Sequence, residues 1–128
     1  MAGEDLLVVD DNATNLKLAR VLLQGEGYAV HTARDAEEAL GLLATLTPRL
    51  ILMDLQLPGM DGLELTRRLK ADAATKGIVI IALTAYAMKG DEEKARAAGC
   101  DGYIAKPLDI DALPELIAGH LRSPDAPR

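Results

Sequence analysis

The chain has no tryptophan, no phenylalanine and only three tyrosines, which leaves few aromatic side chains for any special role. Its single cysteine, Cys100, rules out an internal disulfide and fits a reducing, cytoplasmic setting. No apolar run approaches the length needed to span a membrane, and the start, MAGEDLLVVDD, lacks the basic segment and cleavage-like site of an export signal. Basic residues are outnumbered, 14 against 20, for a net charge of −6. That balance, without a basic cluster, argues against direct binding of nucleic acid. There is no internal repeat and no low-complexity tract. The one linker-like stretch is SPDAPR at 123–128, too short to be a second domain.

What is present describes one globular domain. Of 128 residues, 49% are hydrophobic and 27% charged, enough for a single core. The expected limits are residues 4–122 for the domain and 123–128 for a short tail. Short aliphatic runs at 6–9, 29–32, 50–53, 78–83 and 103–105 read as strands. Between them apolar residues recur every three or four positions, as in Leu16, Ala19, Leu22 and Leu23, or Ala36, Ala39, Leu40 and Leu43, which is helical spacing. Asp35 with Glu38 and Asp61 with Glu64 have the spacing of capping boxes. Gly25, Gly77 and Gly99 lie where helices end or strands begin, positions suited to left-handed termination. Pro114 fits the last helix if Asp111, rather than Asp109, begins it, because proline is tolerated in a first turn. Five strands alternating with five helices imply an α/β domain, a doubly wound parallel sheet covered on both faces.

Chemistry concentrates where the apolar runs stop. Asp10 and Asp11 follow the first strand, Asp54 the third and Lys106 the fifth. In an open α/β sheet the ligand crevice lies beyond the carboxyl ends of the strands, so these four side chains are expected to meet there. Three carboxylates suit a hard divalent cation such as magnesium, which commonly bridges to a phosphoryl oxygen, and a lysine suits that oxygen's charge. Each residue has a plainer reading. The run Asp10-Asp11-Asn12 could simply cap the first helix, and Lys106 could form a structural salt bridge. Clustered carboxylates repel one another, however, and are costly without a cation.

The motifs VVDDN, LILMDLQLPGMDGLE, ALTAYA and YIAKP, taken together, resemble the receiver domain of two-component response regulators over residues 6–121. The resemblance implies a flavodoxin-like (βα)5 fold with strand order 2-1-3-4-5. It implies that Asp54 is the phosphoacceptor, that Mg2+ is held by Asp11, Asp54 and the Gln56 backbone carbonyl, and that Asp10 holds a metal-bound water. Thr84 and Lys106 would contact phosphoryl oxygens. Thr84 and Tyr103 would form the switch that alters the face made by the fourth helix, fifth strand and fifth helix. The alternatives are an ordinary strand threonine and half-buried packing at Tyr103. Tyr86 and Gln56 stand where the family modulates access of water to the phosphoryl group. The implied partners are a sensor histidine kinase or histidine phosphotransfer protein and a downstream protein effector. The domain is then a phosphoacceptor switch rather than an enzyme with a separate substrate.

The segments VDDNATNLKLARVLL and ALTAYAMKGDEEKARAAGCDGYIAKPLDIDAL are similar to DivK-type single-domain regulators and to receivers of hybrid histidine kinases. Met1 and the proline-containing tail favour the stand-alone form over a fragment of a larger kinase. A magnesium-dependent phosphatase that also uses an aspartyl-phosphate fits less well, because position 56 is glutamine where its DxD motif needs a second aspartate. Flavin binding on the same fold would need a phosphate-cradling loop after the first strand, and DDNATN is acidic there.

Overall fold

The structure is a computed structural model that describes residues 3–57, 59–84, 90–105, 109 and 111–121, with Asp91 described through its main chain only. Ten elements alternate: β1 (Asp5–Val9), α1 (Ala13–Gly25), β2 (Ala29–Ala33), α2 (Ala36–Leu43), β3 (Leu50–Asp54), α3 (Gly62–Ala71), β4 (Val79–Thr84), α4 (Asp91–Ala98), β5 (Gly102–Ala105) and α5 (Leu113–Leu121). The strands are all parallel, in the order β2-β1-β3-β4-β5. The expected flavodoxin-like topology is therefore present.

Side-chain alternation explains why both faces of the sheet are covered. Leu6 and Val8 of β1, Leu50 and Leu52 of β3, and Ile81 and Leu83 of β4 point to one side, where they pack with Leu16, Ala19 and Leu23 of α1 and Leu113, Ile117 and Leu121 of α5. Leu7, Val9, Ile51, Met53, Ile80 and Ala82 point the other way, against Ala36 and Ala39 of α2, Leu65 and Leu69 of α3 and Ala95 of α4. The central strand β3 is buried along its whole length, hence the unbroken run LILM instead of an apolar-polar alternation. Burial of one such leucine contributes about 1.5–3 kcal/mol. The helix-surface pairs Arg67–Glu64, Arg68–Glu64 and Arg96–Glu92, with side chains about half exposed, contribute less than about 1 kcal/mol each. Packing therefore decides this fold.

Local signals are met in part. Asp35 caps α2, accepting from Glu38 N at 2.8 Å, and Glu38 reaches back to Arg34 N at 2.6 Å. Asp61 caps α3 through Glu64 N at 2.8 Å, but Glu64 turns outward to Arg67 and Arg68 instead of closing a box. Gly99 ends α4 with φ 110°, whereas the left-handed turn after α1 falls on Gly27, φ 97°, and not on Gly25. Gly77 is likewise not left-handed. Asp109 accepts from the amides of Asp111 and Ala112, capping the turn that leads into α5, and Pro114 becomes the second residue of the helix proper, where it costs little. At the opposite edge from the strand C-termini, Lys70 Nζ donates to Ile78 O at 2.7 Å, Lys76 O at 3.2 Å and Asp101 Oδ2 at 2.9 Å. The same Asp101 oxygen accepts from Ile80 N at 2.9 Å, so one cluster ties α3, β4 and the α4–β5 turn together.

Candidate functional site

Register puts the ends of β1, β3 and β4 abreast. Val9 lies beside Met53 and Met53 beside Ala82, so Asp10 and Asp54 emerge as neighbours, and Thr84 ends β4 one residue past the partner of Asp54. Asp10 N donates to Ala33 O at 3.0 Å, which holds Asp10 in line with the sheet. Asp10, Asp54 and Thr84 are all essentially buried, while Asp11 is exposed. One carboxylate oxygen from each of Asp10, Asp11 and Asp54 lies within 4.8 Å of the others.

The loops shape each carboxylate. Asn12 caps α1, its side chain accepting from Asn15 N at 3.0 Å. The capping reading of the acidic run thus holds for its third residue. Asp10 accepts from Asn12 N at 2.9 Å and from Asn15 Nδ2 at 3.3 Å, one contact to each of its oxygens. Asn15 escaped the sequence reading; its signal was the polar position one helical turn beyond the acidic pair. Asp54 Oδ1 accepts from Gln56 N at 2.9 Å, closing a tight turn, and the Gln56 side chain crosses to Thr84, Nε2 to Oγ1, at 3.3 Å.

Gly62 fixes the loop from below. A Cβ at this position would lie 2.3 Å from Asp54 O and 2.9 Å from Leu55 Cα, so the first turn of α3 can rest on the main chain of Asp54 only if residue 62 is glycine. Tyr103 is half-buried against the cluster under α2, α3 and α4. Lys106 and Tyr86 lie outside the described residues.

The donor set suits a hard cation. All three groups offer oxygen, and two oxygens on opposite sides of one magnesium ion stand about 4.2 Å apart. A 4.8 Å cluster is near that size. Both oxygens of Asp10 also accept protein hydrogen bonds, which fix the orientation of its carboxylate.

The family model of the response regulator receiver domain matches residues 6–118. The chain is a receiver domain. The DivK polar-differentiation response regulator of Brucella anthropi is 45% identical over 118 residues, 92% of this receiver and 96% of that protein. A putative response regulator from Chloroflexus aurantiacus superposes with a TM-score of 0.89 at 32% identity, covering 94% of this chain and 98% of the other. The receiver domain of the sensor histidine kinase PA1611 from Pseudomonas aeruginosa, with a magnesium ion in its active site cleft, superposes at 0.86 with 34% identity over 95% of this chain and 100% of that one. This is a DivK-like receiver of two-component signalling, in a family that acts as phosphoacceptor switches. The alternatives, a receiver cut from a hybrid histidine kinase and a magnesium-dependent phosphatase, are not favoured over this reading. Among the described residues no helix is long and apolar enough to cross a membrane.

Proposed function

We propose that Asp54 accepts a phosphoryl group from a phosphohistidine donor with Mg2+ present, and that the modification resets a protein-binding surface. The observation that carries this reading is the meeting of Asp10, Asp11 and Asp54 within 4.8 Å beside Thr84, on the ligand edge of a receiver fold. Asp11 and Asp54, with the Gln56 carbonyl, would hold the ion directly and Asp10 through water. When bound, the ion supplies positive charge against the phosphoryl oxygens.

The chain's own residues do the rest. A carboxylate oxygen of Asp54 attacks phosphorus, and the bond from phosphorus to the donor's imidazole nitrogen breaks. The electron pair leaves with the imidazole, which takes a proton from solvent, and an acyl phosphate remains on Asp54. The Gln56 amide fixes the rotation of the Asp54 carboxylate before attack, so little reorganisation is needed. Thr84 donates a hydroxyl hydrogen bond to a phosphoryl oxygen, and Lys106 neutralises another. Burial of Asp54 and Thr84 strengthens these contacts by excluding water.

Thr84 and Tyr103 then carry the change to the face of α4, β5 and α5. Between β5 and α5 lies a mainly apolar crevice of about 60 Å³ lined by Ile104, Ala112, Leu113 and Leu116 with Asp109 at its side, and Leu116 is 37% exposed, which suits an effector contact. A cytoplasmic site of action, with the working domain at residues 4–122, belongs to the same proposal. Intact mass after treatment with acetyl phosphate and magnesium should show one added phosphoryl group. The addition should vanish in Asp54→Asn and with a chelator; label persisting in Asp54→Asn would move the acceptor elsewhere.

A further inference from the structure

We propose that Gln56 is a positioning residue that latches Thr84 in its resting place, and so weights the receiver against the phosphorylated arrangement. The inference rests on the reading of Asp54 and Thr84 just given. Gln56 is tied at both ends: its main-chain amide donates to Asp54 Oδ1 at 2.9 Å, and its carboxamide donates to Thr84 Oγ1 at 3.3 Å. The first bond anchors its backbone to the acceptor itself. The second is already at the long limit for a nitrogen-to-oxygen hydrogen bond.

With the backbone anchored and the carboxamide contact already long, little further separation is needed to lose that contact. If the Thr84 hydroxyl turns toward a phosphoryl group on Asp54, the Gln56 contact is made in the resting state and lost in the other. A group shifts a conformational equilibrium only through interactions that differ between its states, and this contact is such a difference. Gln56 is exposed while Thr84 is fully buried, so the carboxamide can be replaced without opening the core.

The receiver resemblance implies that position 56 holds the metal through its carbonyl and modulates access of water to the phosphoryl group. Neither role uses its side chain on Thr84. A partly exposed neutral hydrogen bond at this length corresponds to about a two- to fivefold weight on the equilibrium.

The test is a double-substitution cycle read by beryllofluoride affinity in magnesium. Gln56→Leu removes the donor at similar size and should bind beryllofluoride about two- to fivefold more tightly than the unaltered protein. In a Thr84→Val background the same change should have no effect, whereas Thr84→Ser, which keeps the hydroxyl, should retain it. An unchanged or weakened affinity in Gln56→Leu, or an equal gain in the Thr84→Val background, overturns the latch. The second readout needs neither phosphoryl analogue nor metal: three-bond couplings of the Thr84 side chain should show one dominant rotamer, and mixed rotamers in Gln56→Leu. Identical couplings in the two proteins also overturn the latch. Failure of the unaltered protein to bind beryllofluoride at all would instead count against Asp54 as acceptor, and the couplings alone would then judge the latch.

Discussion

Replacing Gly62 by alanine adds one methyl group and should damage the fold and the site together. The new Cβ would sit 2.3 Å from Asp54 O, 2.9 Å from Leu55 Cα and 3.0 Å from Asp54 C. Ordinary carbon-to-oxygen contact begins near 3.3 Å, so the first turn of α3 and the end of β3 must separate by about 1 Å. All three nearest atoms are main chain, and no side chain can rotate away. Overpacking of this kind costs about 1–3 kcal/mol. The Gly62 N to Leu55 O bond, 3.3 Å, would lengthen beyond use and add about 1 kcal/mol. For a domain of this size about 1 kcal/mol lowers Tm by roughly 4 °C, so a fall of about 8–16 °C is expected in thermal unfolding followed by circular dichroism. The same separation moves the Asp54 carboxylate, and phosphorylation by acetyl phosphate at a temperature where the variant is folded should slow by at least tenfold, since misplacement of about 1 Å can cost a hundredfold. A Gly62→Ala protein with unchanged Tm and unchanged labelling would refute the argument that the α3 turn rests on the acceptor's main chain.

Two further outcomes test the electrostatics. Magnesium at a hundred times its Kd should stabilise the receiver by about 2.7 kcal/mol, and at that concentration Asp11→Asn should lose most of the rise in Tm while its metal-free form melts higher than the parent; equal magnesium affinity by calorimetry would remove Asp11 from the ligand set. Burial pushes the Cys100 thiol above its ordinary pKa of 9.0, with Asp101 adding to the rise and the Thr66 hydrogen bond and Lys70 opposing it. The unfolded chain therefore loses this proton first, so stability present below pH 9 should fall above it, and less so in Cys100→Ala; native Cys100 should also react with a disulfide reagent far more slowly than the denatured chain, and equal rates would contradict its burial.

Strand ends were legible because burial on two faces demands unbroken apolar runs, which leaves a charge only at the last strand position or just beyond it. LILM followed by Asp54 states both facts in five letters. Parallel topology then brings Asp10 and Asp54 together whatever the loops do. The loops themselves were less legible. Glu64 has the spacing to close a capping box, yet two arginines one turn on, Arg67 and Arg68, compete for it and win. Gly25 and Gly27 are alike in composition, and only the geometry of the turn puts the positive φ on the second. Contacts such as Asn15 to Asp10 and Gln56 to Thr84 depend on side-chain rotamers between segments, about which periodicity is silent.

The cluster around Lys70 anchors the C-terminal end of α4. The C-terminal end of that helix, through Gly99 and Asp101, is moored to α3 and β4 by hydrogen bonds to main chain and an ion pair, with Gly99 pressed against the Lys70 side chain. Its N-terminal end starts at Gly90, in a left-handed conformation without a side-chain cap. A helix moored at one end can move only by pivoting about that end, not by sliding. If phosphorylation pushes on this helix from the Thr84 edge, the expected response is a rotation, smallest at Cys100 and largest at Gly90. A partner reading the first turn of α4 would sense the state of the receiver with amplification, and one gripping the last turn would bind both states alike.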